Sequence, residues 1–178
     1  MVWQISPEEL LVRYGDGERN FAGVELIDSE IRSRDYPGID LVGVVLRDIN
    51  LRGAYFNEVM LVEADLTGAD LGGIFLESCS LARAIIRDAN LRAASLDWSA
   101  FHDADLRGSN LDHMNASCAE FRGSQIGSFE YAILANTKFQ GAHTSSSLIC
   151  SGWNLIWHTT MPDGSLVEGP QLGNGRGK

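Results

Sequence analysis

The chain has 178 residues, with 14 basic and 24 acidic side chains, a net charge of −10 and 44% hydrophobic residues. That length suits one domain with a continuous core, and the apolar share excludes wholesale disorder. The acidic balance argues against general binding to nucleic-acid phosphates or anionic membranes, and no stretch approaches the ~20 apolar residues of a membrane span.

At the N-terminus, Met1 leads almost directly into charged residues, unlike a secretory signal, so a cytoplasmic location is expected. Ser6-Pro7-Glu8-Glu9 reads as a helix start: Ser6 as N-cap, Pro7 in the first turn, Glu9 returning to the cap. Leu10, Leu11 and Tyr14 form an apolar stripe, and Gly15 is a stop signal. Residues 1–18 are therefore expected to form a short helical lid.

From Phe21 onward neither ordinary secondary-structure period fits. Steps of five instead reach Leu26, Ile31, Tyr36, Leu41 and Leu46, and continue without interruption through Leu66, Leu91 and Leu106 to Ile126 and Tyr131. Tyr36, Ala116 and Tyr131 are the departures from Leu, Ile or Phe in that series. Two residues before each large position stands, most often, Ala, Ser, Val or Cys, as in Ala64-Asp65-Leu66 and Ala104-Asp105-Leu106, with a polar residue between. In extended backbone the small and large residues share a face and the polar one points away. The two remaining positions, often Gly, Arg, Ser or Asp, suit a corner. Such a chain winds into a coil with an apolar interior, and each coil offers its backbone groups to the next. Two defects are visible: Arg34, Tyr36 and Pro37 break the rule and suggest a bulge, and Phe129 is too bulky for its small-residue slot, after which the phase slips to Leu134, Phe139 and Thr144.

This lattice resembles the pentapeptide-repeat family, whose consensus is A(D/N)LXX. The resemblance covers residues 19–145 and implies an all-β fold, a right-handed quadrilateral parallel β-helix with a short N-terminal capping α-helix. Four sides mean 20 residues per coil, about six coils and a rod roughly 30 Å long at the spacing of paired strands. The segment from Glu9 to Phe21 and Met161-Pro162-Asp163-Gly164-Ser165 are similar to the two ends of cyanobacterial members. Residues 146–168, with Trp153, Ile156 and Trp157, read as a C-terminal cap plugging the last coil. An alternative is that this end is a dimer interface, since an uncovered solenoid end is an open edge. Residues 169–178 are Gly-rich and expected to be a disordered tail.

Catalytic signals are weak. Cys79, Cys118 and Cys150 are far apart and form neither a disulfide framework nor a CxxC pair. His102, His113, His143 and His158 lack ligand-like spacing, and Cys79 falls in an inward slot as a buried filler. A filled prism offers no deep cleft. The expectation is a protein that is not an enzyme, has no cofactor and binds neither nucleic acid directly nor a membrane. With four sides, one side is centred on Tyr36, Phe56, Leu76, Leu96 and Ala116. Its outward positions carry Tyr55, Phe75 and Trp98, with Asp35, Glu58, Glu77 and Asp97 and no basic residue; Met60 lies just around the corner. Aromatics in slots normally given to Asp or Asn are not required by folding, and they are enriched at protein–protein contacts. Tyr55, Phe75, Trp98, Glu58, Glu77, Asp97 and Met60 are thus the candidate interaction surface, for a protein partner whose identity the sequence leaves open. The family resemblance implies a non-catalytic scaffold or regulator. Alternatively it implies a DNA mimic acting on DNA gyrase, as some acidic members do. Monomer, or dimer through the C-terminal end, are the assembly states expected.

Overall fold

A computed structural model describes residues 3–27, 30–32 and 39–173. The regular elements are β1 (Trp3–Ile5), α1 (Pro7–Gly15), β2 (Val24–Leu26), β3 (Glu30–Arg32), β4 (Tyr55–Asn57), β5 (Phe75–Glu77), β6 (Asp105–Leu106) and β7 (Gln125–Ile126). They continue with β8 (Ile133–Ala135), α2 (Ser146–Ile149), β9 (Leu155–Trp157), β10 (Thr159–Thr160), β11 (Leu166–Val167) and β12 (Gln171–Leu172).

Parallel pairing sets the architecture. Asp40, Met60, Ser80, Ala100 and Glu120 are bridged in succession, as are Val45, Asp65, Ile85, Asp105 and Gln125. A constant step of 20 residues means four five-residue sides per coil. Each corner is a turn in which the large inward residue accepts from the small inward residue three positions on, as Leu66 O does from Ala69 N at 3.1 Å. The residue two after the large one has positive φ, including non-glycines such as Asp88 (55°), Trp98 (62°) and His113 (60°). That conformation admits a fivefold repeat with a bend at every fifth residue, and it turns the corner side chain outward. At Gly108 (φ 76°) a Cβ would lie 2.1 Å from Oδ1 of Asp88 one coil below, so this corner tolerates only glycine without a shift.

Leu41, Leu61, Leu81, Phe101, Phe121 and Phe139 form one inward column, and Leu46, Leu66, Ile86 and Leu106 another; all are buried. The rings of Phe101, Phe121 and Phe139 stack at centroid distances of 4.9 and 5.3 Å. Polar residues in small inward slots hold backbone groups that the coil geometry leaves over: Ser99 Oγ donates to Leu76 O (2.8 Å) and accepts from Cys79 N (2.9 Å). Asn154 likewise accepts from Ala132 N (2.9 Å) and donates to Ile149 O (3.1 Å).

Within the coil the register departs from 20 in three places, and two of them break the five-residue count. Asn20 pairs with Val45 and Glu25 with Asn50, so the first coil holds five extra residues. Consequently β3 pairs with β4 as Ile31 with Phe56 and Arg32 with Asn57, and Ile31, not Tyr36, heads that column. Arg34, Asp35, Tyr36 and Pro37, where a bulge was expected, lie outside the described residues. Next, Asn115 bridges Ile133 and Gln125 bridges His143, a step of 18. The coil lost two residues between Ile126 and Phe129, so Phe129 occupies the large inward position itself, buried and stacked on Phe139 at 6.2 Å. Tyr131, expected inward, is 49% exposed. Finally β8 pairs with β9 as Leu134 with Ile156, a step of 22 that accommodates α2.

The two ends differ from one another. At the N-terminal end β1 adds to β2 in parallel, and α1 follows, with Ser6 Oγ accepting from Glu9 N (3.1 Å). Leu10 joins the core and Tyr14 Oη donates to Val42 O (2.8 Å), seating the helix against the first coil. Arg13 lies 4.5 Å over the Trp3 ring and pairs with Glu18 (2.7 Å). At the other end the lattice runs on past residue 145, with Ile156 and Met161 buried five residues apart. Trp153 and Trp157, read in the sequence as parts of a plug, are instead exposed. The chain then reverses: β11 pairs antiparallel with β10, and β12 with β9. The open edge is thereby occupied on two sides by the chain's own strands. Gln171 and Leu172, placed in the sequence reading within a disordered tail, form one of them; residues 174–178 lie outside the described residues.

Candidate functional site: an aromatic and acidic face

The side carrying β4, β5, β8 and β9 presents a register column of outward residues: Tyr55, Phe75, Ser95, Asn115, Ile133 and Leu155. Parallel pairing without offset stacks them at strand spacing, ~4.8 Å per coil. The Tyr55 and Phe75 rings lie 6.1 Å apart, and Tyr55 Oη donates to Glu77. Trp98 projects from the next corner, 68% exposed. Together Tyr55, Phe75, Leu76, Glu77, Ser95, Asp97 and Trp98 line an open groove of about 290 Å³. Asp97 accepts from Ser95 Oγ and from Asn115 Nδ2 (3.0 Å to either oxygen). On its other flank Trp98 borders a second groove of about 600 Å³ with Ala100, Cys118, Glu120, Asn136 and Lys138.

Five of the seven residues singled out in the sequence thus converge: Tyr55, Phe75, Trp98, Glu77 and Asp97. Glu58 stands at the corner (φ 58°), where its backbone N–H donates to Glu77 O (2.9 Å), and is outside the groove lining. Met60 is exposed on the adjoining side, bridged to Asp40 and Ser80. The expectation of a face without basic residues needs correction: Arg32 is in register with Asn57 at its N-terminal end, because the extra five residues of the first coil shift the column.

Sequence reading missed the face's C-terminal half. Ile133, Leu155 and Leu172 sit opposite one another on β8, β9 and β12, all exposed, with Trp157 (51% exposed) on β9 beside them. Tyr131 and Trp153 flank them at the preceding corner, Tyr131 stacking on His113 at 5.0 Å. The signal was present as a β-type outward position at Leu155 and Trp157, but it became legible only once the 22-residue step fixed which residues face inward.

The other three sides are electrostatically different. Several carboxylates there pair within the chain: Asp65 with Arg47 (3.9 Å), Asp70 with Arg52 (3.9 Å), Asp105 with Arg87 (2.5 Å) and Arg107 (2.7 Å), and Glu63 with Arg83 (2.8 Å). Glu120 meets Lys138 (2.5 Å) and His102 (2.9 Å). Hydrogen bonds from Arg107, and then from Arg87, hold the Asp105 carboxyl far below the usual aspartate range, and Lys138 chiefly lowers that of Glu120. By contrast Glu77 and Asp97 accept only from uncharged donors and carry no ion pair among the described residues.

No three His, Cys, Asp or Glu residues among those described lie close enough to hold a metal ion. Cys79 is buried, and burial pushes its thiol up to about 12, which removes it from nucleophilic chemistry at neutral pH.

The family model for pentapeptide repeats matches eight copies over residues 39–73, 61–97 and 94–126. Residues 39–126 of this chain, just under half of it, are thus similar to the pentapeptide-repeat family. Proteins of this family form right-handed quadrilateral β-helices, and the coil described above likewise has four sides. Among solved structures, a pentapeptide-repeat protein of the Arabidopsis thaliana thylakoid lumen is 27% identical with a TM-score of 0.46, over 58% of this chain and 66% of that one, just under two thirds of its length. A pentapeptide-repeat protein of Nostoc is 25% identical with a TM-score of 0.48, over 67% of this chain and 84% of that one. HetL of Nostoc, involved in heterocyst differentiation regulation, is 23% identical with a TM-score of 0.26, over 92% of this chain and 100% of that one. No curated protein matches the chain in sequence.

Proposed function

We propose that this chain is a non-catalytic interaction scaffold or regulator that docks a protein partner on the face running from Tyr55 to Trp157. One observation carries the reading. Large apolar side chains cluster at outward positions on one side of the coil, while the coil's ion pairs among the described residues lie on the remaining sides. A buried inward ring serves folding; an outward Phe75 or Trp98 in water does not, and exposed apolar patches of this kind mark contact surfaces. The capping role of α1 and the reversed strands at the far end belong to the same reading: α1 seats on the first coil and two sides of the far end are occupied by the chain's own strands, which favours the lateral face for a partner. Three free cysteines fit a reducing cytoplasm as its place of action. No helix among the described residues is long and apolar enough to cross a membrane.

The charge pattern weighs against mimicry of duplex DNA. A mimic needs uncompensated carboxylate rows, and arginines stand within 4 Å of the carboxylates on two sides of this rod. Affinity capture from the native host with the wild-type chain and with Tyr55→Ala/Phe75→Ala/Trp98→Ala tests the docking reading. A specific protein captured by the first and lost with the second is expected. If every captured protein stays bound to the triple variant, the face is not the docking surface. A gyrase supercoiling assay with micromolar protein tests the mimic, and no effect is expected.

A further inference from the structure

Resting on the docking reading, the geometry points to the groove between Phe75 and Trp98 as a subsite for a cationic side chain, an arginine of the partner protein, held by Glu77 and Asp97 against the aromatic rings.

Of the two grooves that Trp98 borders, this one is lined by carboxylates without a basic residue, whereas the other holds Glu120 together with Lys138. Every other carboxylate cluster described above contains its own cation: Asp105 has two arginines, and Glu120 a lysine and a histidine. Glu77 and Asp97 line one groove and have none among the described residues. They are nevertheless held in place, Glu77 by the Tyr55 hydroxyl and Asp97 by Ser95 and the Asn115 amide. Neutral donors orient a carboxylate without cancelling its charge, and leave it further acceptor lone pairs. Three aromatic rings border the same space, and ring faces attract cations. A planar guanidinium matches both features at once: it stacks on a ring with one face and offers paired N–H donors along its edge to carboxylates. A second copy of this chain is a poor occupant, because two such acidic faces at a net charge of −10 per chain repel. An uncharged apolar peptide would leave Glu77 and Asp97 desolvated beside it, at a cost.

The test uses Nα-acetyl-arginine amide as probe and Nα-acetyl-citrulline amide as its uncharged isostere, titrated into the full chain and followed by amide chemical shifts at low salt. Shifts localised at Phe75–Glu77 and Ser95–Trp98 are expected for the arginine probe, with affinity at least about fivefold above citrulline. Glu77→Gln and Asp97→Asn should each weaken it about threefold and together about tenfold, as exposed charge contacts do. Both carboxylates are outward, so these variants are expected to unfold at the wild-type temperature, and that is measured alongside. Equal binding of arginine and citrulline overturns the proposal. So do shifts scattered over the whole acidic surface, or affinities unchanged in the double variant. The docking reading fails separately: a partner lost by the triple aromatic variant but fully retained by Glu77→Gln/Asp97→Asn removes the cation subsite and leaves the docking face standing. An arginine probe that binds normally while the triple variant keeps every partner does the reverse.

Discussion

Replacing Phe121 by Ala tests the packing that makes this coil a solid rod. Phe121 is fully buried, and its ring is sandwiched between those of Phe101 and Phe139 at 4.9 and 5.3 Å. The coils on either side cannot close over the vacated space. Phe101 N donates to Glu120 O, and Phe121 N to Lys138 O, both at 2.7 Å, so the backbone ladder fixes the coil spacing. A site that cannot relax costs no less than the middle of the usual range for Phe→Ala, about 4 kcal/mol. For a chain of this size each kcal/mol moves the midpoint by ~2–4 °C, giving a fall of about 8–16 °C. Thermal and urea unfolding followed by circular dichroism give the number. Arg122→Ala, whose 3.9 Å contact with Glu120 is solvent-exposed, is the control and should change stability by less than ~0.5 kcal/mol. A loss below ~1 kcal/mol for Phe121→Ala would refute the account of a close-packed interior at fixed spacing.

Three further outcomes are expected. Phe129→Ala should cost about 3–5 kcal/mol and Tyr131→Ala well under 1, since the two-residue deletion puts the first inside and the second outside; equal losses in chemical denaturation would return the register to the unbroken fivefold count. Asp105→Asn should destabilise the protein at neutral pH. Its folded-state carboxyl is held below the unfolded value, so the stabilisation is complete above the unfolded aspartate value near ~4 and vanishes as pH falls through the folded one. The gap between variant and wild type, measured by urea titration, should narrow steadily below pH ~5; a gap widening towards acid would contradict the ion-pair assignment. In a Cys118→Ser/Cys150→Ser background, Cys79 should react with a disulfide reagent only at the rate of unfolding, because it is buried with a strongly raised thiol value. Rapid labelling of the native protein would show the inward slot to be open.

The coil was legible in the sequence because its inward residues must repeat: a small and a large side chain recur at every side, whatever the outward positions hold. Ser6, Pro7 and Glu9 likewise announced α1, since an N-cap is a local device. A five-residue lattice is blind to how many sides make each coil, however. The extra five residues before Ile39 left the period intact while bringing Ile31, not Tyr36, into register with Phe56. The two-residue deletion before Phe129 was read as a bulky residue in a small slot, because only inter-coil hydrogen bonds reveal which residue lies above Leu111. The reversed strands β11 and β12 are two residues each and have no period to detect. The groove was half legible: Tyr55, Phe75 and Trp98 are conspicuous as outward aromatics. That Glu77 and Asp97 lack the cations their counterparts have depends on pairing across coils, which a linear reading does not supply.

Photo-crosslinking in the native host tests the central claim most directly. A benzophenone amino acid is placed at Ser95, within the groove, or at Ile85, exposed on the opposite side of the same coil. A discrete protein adduct from Ser95 and none of that mass from Ile85 is the predicted result. The same adduct from both positions, or from Ile85 alone, would contradict a face-specific docking surface.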